Sequence, residues 1–307
     1  MITTHSRVGV TWIDAESPTD QEIGELVRKH ELHPLVGEEL KSSSSLAKID
    51  FYKYYILIVL TIPVRIRRNG GYEIVDREID FVVGKDFLIT SRYDTLEQVE
   101  YFAKVFEANS ILNKDEKLEH AGHLFYYLVR RIYAGMLQDL DNIKDALVAA
   151  ESQIFKGEER SMVEALSNLS RELIDFKQTA RIHSDIWKEL TEHADNALFG
   201  KDFPAYVEEI RNEFGRIHET IVNARELLTD LRETNDSLLN TKQNEIIKVL
   251  TLIALIFNPL TFIASVFTIP AAYVPLVGKP YGWTIIVIIM VVLVIFTWGI
   301  FKKKRWV

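Results

Sequence analysis

Two long apolar runs close this chain, and the polar positions inside the first of them are ordered. That run, NEIIKVLTLIALIFNPLTFIASVF (Asn244–Phe267), keeps Lys248 as its only charge from Ile246 to Phe267, a span of 22 residues. At about 1.5 Å per residue it covers the roughly 30 Å of a bilayer's hydrocarbon core. Asn244, Thr251, Asn258 and Ser265 recur every seven residues, and Thr261 lies three beyond Asn258. On a helix turning about 100° per residue these five fall within an arc of roughly 100°. An amide without a partner in hydrocarbon costs about 4–8 kcal/mol, so such a stripe faces other helices or water. Hydrogen bonding between helices and pore lining both meet that demand. The second run, Tyr281–Ile300, has 20 residues and no charge, and predicts a second span. The basic cluster Lys302–Arg305 follows at once, which places this end in the cytoplasm. Two spans with both termini inside put Thr268–Pro280 on the outer face.

Ahead of the spans the apolar period is that of a coiled coil. Val207, Ile210, Phe214, Ile217, Ile221, Ala224, Leu228, Leu231 and Leu238 keep an alternating spacing of three and four, broken only by Asn235. A seam of this kind needs a partner surface, and a second copy of the chain is the simplest source. No proline lies between Ala205 and Asn258, so the seam helix is expected to run on into the first span. From Pro204 to Phe267 it would be roughly 95 Å long.

Residues 8–100 read as mixed α/β. Val8–Asp14 is a strand candidate, and Ser17–His30 opens with Ser-Pro-Thr-Asp and continues at helical spacing. Phe51–Ile66 is rich in aromatic and β-branched residues, as a buried strand is. Asn69-Gly70-Gly71 signals a turn, with Arg77–Gly84 and Asp86–Arg92 as short strands after it. Ser42–Ser45 reads as a loop. From about Leu96 the pattern is helical. The domains expected are therefore an α/β domain (1–95), a helical region (96–243) with its long helix from about 204, and a membrane domain (244–307). The last divides into a first span (246–267), an outer loop (268–280), a second span (281–300) and a basic tail.

Charge sharpens this division. The net charge is −8, but residues 244–307 hold six bases and one acid. Residues 1–243 are left with 30 bases against 43 acids, a net of −13. That balance argues against nucleic acid as a partner and suits cations. The absence of cysteine excludes disulfides and thiolate metal sites. The first residues lack the apolar segment of a signal peptide, so the large N-terminal part is expected in the cytoplasm. His120 and His123 after Glu119 could form part of a zinc site and His183, Asp185, Glu189 and His193 a helical metal face, but the latter spacing matches no catalytic motif and both groupings read first as surface or packed residues. No phosphate loop, nucleophile elbow or His-Glu-x-x-His occurs, so an enzyme is not expected.

With these residues in view, the chain resembles the CorA family of magnesium and divalent-cation transport proteins along essentially its whole length. Asn244–Phe267, the short loop, the second span and the terminal Lys-Lys-Lys-Arg-Trp carry most of the resemblance. WIDAESPT (Trp12–Thr19), LHPL (Leu32–Leu35) and KDFLIT (Lys85–Thr90) add to it. The resemblance implies a CorA-like funnel assembled as a homopentamer in the cytoplasmic membrane. Each chain would supply an α/β cytoplasmic domain, a long helical stalk and two C-terminal transmembrane helices. Five first spans would then line the pore with Asn244, Ile247, Thr251, Ala254, Asn258, Thr261 and Ser265. Members end that helix with Gly-Met-Asn, whose asparagines ring the entering ion. Thr268, Ile269 and Pro270 stand there in this chain, and proline has neither a side-chain amide nor a backbone N–H. The outer loop, acidic in the family, has Lys279 as its only charge. The family also binds regulatory magnesium between subunits, and the matching stalk position is Glu209, beside Glu208. No cofactor is expected apart from such an ion. The reading reached is a channel or transporter for divalent cations, magnesium first. The altered entrance keeps open another ion, or a scaffold or sensor without flux.

Overall fold

The computed structural model describes residues 1–7, 9–43, 47–68, 70–111, 120–193, 198–269 and 280–303. Its described residues fall into two compact units, Met1–Arg232 and Glu233–Val307.

The first unit is built on a six-stranded mixed sheet. The edge strand β1 (Ile2–Arg7) pairs antiparallel with β2 (Val10–Glu16), and β2 runs parallel to β6 (Phe87–Arg92). Antiparallel pairs then continue through β5 (Gly71–Gly84), β4 (Tyr55–Arg68) and β3 (Lys48–Phe51). The aromatic stretch expected as one strand is therefore two. The chain reverses between them, and Tyr52 N–H donates to Tyr55 O at 2.9 Å. The turn glycine Gly70 has φ of 85°, a conformation that costs glycine nothing. Asn69 lies outside the described residues, as do Val8, Ser44 and Ser45. Strand β1 had no counterpart in the sequence pattern.

Two short helices cover one face of the sheet. Helix α1 (Asp20–Lys29) starts at Thr19, whose side chain accepts from Glu22 N–H while Glu22 reaches back to Thr19 N–H. This reciprocal box satisfies two donors that a helix start leaves open. In α2 (Pro34–Glu39) the His33 ring caps Leu35 N–H, and Pro34 takes the first turn. Ile23, Leu26, Val36 and Leu40 bury against Ile13, Leu57, Val59, Val82 and Ile89 of the strands. The opposite face carries α3 (Glu97–Ile111) and α4 (Ala121–Phe155), with Phe102 edge-on to Trp12 and Phe125 edge-on to Phe81. Helices α5 (Glu159–Arg181) and α6 (His183–Glu192) follow.

Helix α7 (Phe203–Thr268) is continuous over 66 residues and contains Pro259. Its seam up to Leu231 is covered within the chain. Val207, Ile210, Ile217 and Ile221 are no more than 2% exposed, and Phe214 packs on Tyr133 and His183. Self-association is thus not what this seam calls for. Spacing defines an apolar stripe but not which surface covers it, and at Phe214 α4 and α6 do. Helix α8 (Gly282–Lys303) completes the second unit.

Candidate functional site

The second unit has two helical segments long and apolar enough to cross a membrane, the end of α7 and α8. Their packing assigns the faces of α7. Leu252, Ile256, Pro259, Leu260, Ile263 and Phe267 are its partly covered positions. At about 100° per residue they share one side of the helix, roughly opposite the polar stripe. Asn244, Ile247, Thr251, Ala254, Asn258, Thr261 and Ser265 are all exposed. Within one chain, α8 therefore does not cover the stripe. Beside α8, Phe257, Leu260, Thr261 and Ala264 form an apolar groove of about 510 Å³ with Met290, Val291, Val294 and Ile295. Thr261 is thus at the stripe's margin.

The polar groups of the stripe are not equivalent. Thr251 Oγ1 donates to Ile247 O at 2.8 Å, and Thr261 Oγ1 to Phe257 O at 2.9 Å. Back-bonding to the preceding turn uses the hydroxyl proton and leaves methyl and oxygen outward. Asn258 makes no side-chain hydrogen bond among the described residues. Its amide is the unspent polar group near mid-span. At the end of α7, Thr268 Oγ1 donates to Ser265 O at 2.8 Å, and Ile269 is exposed. Pro270, Lys279 and Arg305 lie outside the described residues.

On the soluble part of α7, Glu208 and Glu209 point to different neighbours. Glu208 meets Arg211 at 3.2 Å, with both side chains about half exposed. Glu209 is hydrogen-bonded to the Tyr126 hydroxyl, which is pushed up to about 12 by burial and by that bond. Arg130 donates to Tyr126 Oη at 3.3 Å and approaches Glu213 at 4.0 Å. Sequence spacing gave no sign of Tyr126 and Arg130, some eighty positions away. Among the described residues no three His, Cys, Asp or Glu side chains form a metal cluster. His120, His123 and His183 are buried, whereas His193 is exposed. His120 and His123 stack at 4.0 Å, and burial lowers His120 to about 4. His183 is fully buried between Thr61 O at 2.8 Å and Tyr133 Oη at 3.0 Å. Glu119 lies outside the described residues.

An acidic α/β and helical unit followed by two helices long and apolar enough to cross a membrane, the first striped with polar groups, has the make-up of a two-span membrane protein. More specifically, the chain matches the CorA-like Mg2+ transporter protein family over residues 8–303 and belongs to it. It is 24% identical to the cobalt/magnesium transport protein CorA of Thermotoga maritima, covering 96% of this chain and 83% of that one. The cobalt/magnesium transport protein CorA of Methanocaldococcus jannaschii is 22% identical over 96% and 91%. Among solved structures, the complete CorA magnesium transporter from that archaeon superposes with a TM-score of 0.83 at 20% identity, over 97% of this chain and 92% of the other. The full-length CmaX protein gives 0.68 at 18% identity, over 97% and 89%.

Proposed function

We propose that the chain moves divalent cations, magnesium first, across the cytoplasmic membrane as a homopentamer whose pore is lined by the first span. The observation that carries this reading is the exposure of the stripe on the side of α7 away from α8. A single chain leaves Asn258 facing hydrocarbon, which is costly. Five copies turning their stripes inward remove that cost by giving the amides water. Ions would then pass largely hydrated, touching amide and hydroxyl oxygens. That suits magnesium, which dehydrates reluctantly. The relatives' names, cobalt/magnesium transport proteins, support the same ion class. The basic cluster at Lys302–Arg305 favours both termini inside. Divalent ions at Glu208 or Glu209 would steady the closed state.

One observation favours a second reading. Thr268, Ile269 and Pro270 at the entrance offer no ring of amides, so another ion, or a scaffold or sensor without flux, is the alternative. Proteoliposome flux with magnesium, cobalt, zinc, monovalent cations and chloride separates the two, and native mass spectrometry in detergent counts the chains. Flux of magnesium or cobalt by a pentamer is expected. A monomer or dimer, or flux of no ion, overturns the proposal.

A further inference from the structure

The soluble unit is acidic, yet one of its clefts is basic. A recess of about 440 Å³ lies between the end of α5, the start of α6 and the middle of α7. Lys177, Arg181, Arg211 and His218 line it, with Asp185 as its only acid. Among the described residues Lys177 and Arg181 have no ion-pair partner. Arg181 alone is accounted for by the last turn of α5, where a cation suits the helix dipole. From α7 the recess receives Arg211, which Glu208 already pairs at 3.2 Å, so its unpaired cations are Lys177 and Arg181 of α5.

Gly215 is the second observation. It sits inside α7, where glycine weakens a helix relative to alanine. Helical glycines are usually kept because another element comes too close for a Cβ. Gly122 and Gly135 are of that kind, with a built Cβ meeting side chains at 2.8 and 2.3 Å. At Gly215, exposed on α7, a Cβ would meet nothing within 4 Å, as at Gly24 of α1 and Gly299 of α8, and of these three Gly215 lines the basic recess. Packing within the chain therefore gives no reason for the missing side chain. The Phe214 ring and the Ser184 hydroxyl line the same space, offering an apolar surface and a neutral hydrogen-bonding group beside the cations.

We propose that this recess binds a soluble phosphate-bearing small molecule of about nucleotide size. Its volume lies within the range of small-molecule sites. Arginine and lysine supply the charge-assisted bonds that phosphate oxygens take. This site is separate from the membrane stripe and does not depend on what crosses the membrane.

The test is calorimetric titration of the full-length protein in detergent, in chelator, with pyrophosphate and with ATP. Saturable binding of at least one probe is expected. Lys177→Gln with Arg181→Gln should weaken it by roughly tenfold or more, as loss of charge-assisted bonds does. Gly215→Trp should abolish binding without lowering thermal stability, because the added ring enters open space. Gly215→Leu serves as the milder variant should tryptophan disturb folding. Absence of saturable binding in the parent overturns the proposal, as does equal binding in all variants. A change of oligomeric state in Gly215→Trp with no phosphate binding by the parent makes the recess a contact between copies and equally overturns it. Binding of short-chain phosphatidylglycerol in place of the soluble probes assigns the phosphate to lipid and removes the soluble ligand.

Discussion

The two units handle polar groups in opposite ways. In Met1–Arg232 the buried guanidinium groups of Arg65 and Arg92 find carboxylate partners nearby. Arg92, 3% exposed, bonds Asp14 at 3.1 Å and Glu16 at 3.0 Å. Arg65 bonds Glu172 at 2.7 Å, with both side chains under 10% exposed, and stacks on Tyr72 at 3.7 Å. The seam of α7 is covered there as well. In Glu233–Val307 the reverse holds: apolar side chains and the Asn258 amide are exposed together. The first unit is complete as a single chain. On the function proposed above, the second is complete only in a membrane and beside copies of itself. In that proposal the demand for assembly comes from the membrane helix, since the coiled-coil-like segment is already covered within the chain.

Breaking the contrast at its membrane end should have the largest effect. Asn258→Leu is expected to leave assembly intact and stop flux, since a ring of leucines dries a pore. Asn258→Asp should raise cation flux and exclude anions. Reconstituted flux and oligomer size are the readouts. Dissociation by Asn258→Leu would mean that the amide holds helices together.

At the other end, Arg65→Ala leaves Glu172 buried and unpaired. A loss of about 3–5 kcal/mol is expected from breaking such a pair, seen as a lowered melting temperature for the soluble unit. The same substitution should not alter ion selectivity.

Acid should find the buried histidine before it finds the surface pairs. Burial lowers His183 from 6.5 to about 4, so the unfolded chain takes a proton that the fold refuses. Stability is complete above pH 6.5 and falls as pH drops towards 4, by about 3 kcal/mol in all. His183→Gln should flatten melting temperature against pH in that window. Asp80 acts on the alkaline side. It is fully buried, both carboxylate oxygens lack hydrogen bonds, and burial first, then Glu78, raises its pKa well above 3.8. Stability therefore falls as pH climbs from 3.8 towards the folded value. Asp80→Asn should melt higher than the parent at neutral pH, with the gap closing in acid.

The smallest effect is expected at Glu208 and Glu209. Arg211 and Tyr126 already attend them, and exposed pairs are worth about 0–1 kcal/mol. Magnesium should increase protease protection of the parent and less so of the double alanine variant. Equal protection in both proteins would leave these acids as a solvated face.

Much of this was legible in the residues. The β-branched run of β4, the Ser-Pro-Thr-Asp opening before α1 and the stripe are local patterns, and local patterns survive folding. β1 was not legible, because Ile2–Arg7 is short, polar and held by its pairing with β2. Nor was the division at Tyr52–Tyr54, where aromatic residues continue through a reversal. The cover of the α7 seam, the Tyr126–Glu209 contact and the basic recess join stretches far apart in sequence. No spacing rule reaches across them.

Pro259 carries one further consequence. Lacking an N–H, it cannot bond the Leu255 carbonyl one turn earlier, so the backbone itself leaves an unmet acceptor within a turn of Asn258. Lipid has nothing to offer that oxygen. Two groups near the α7 midpoint thus ask for a partner, the Asn258 amide on the exposed stripe and the Leu255 carbonyl under Pro259 on the partly covered side. Replacing Asn258 would silence the first request and leave the second standing.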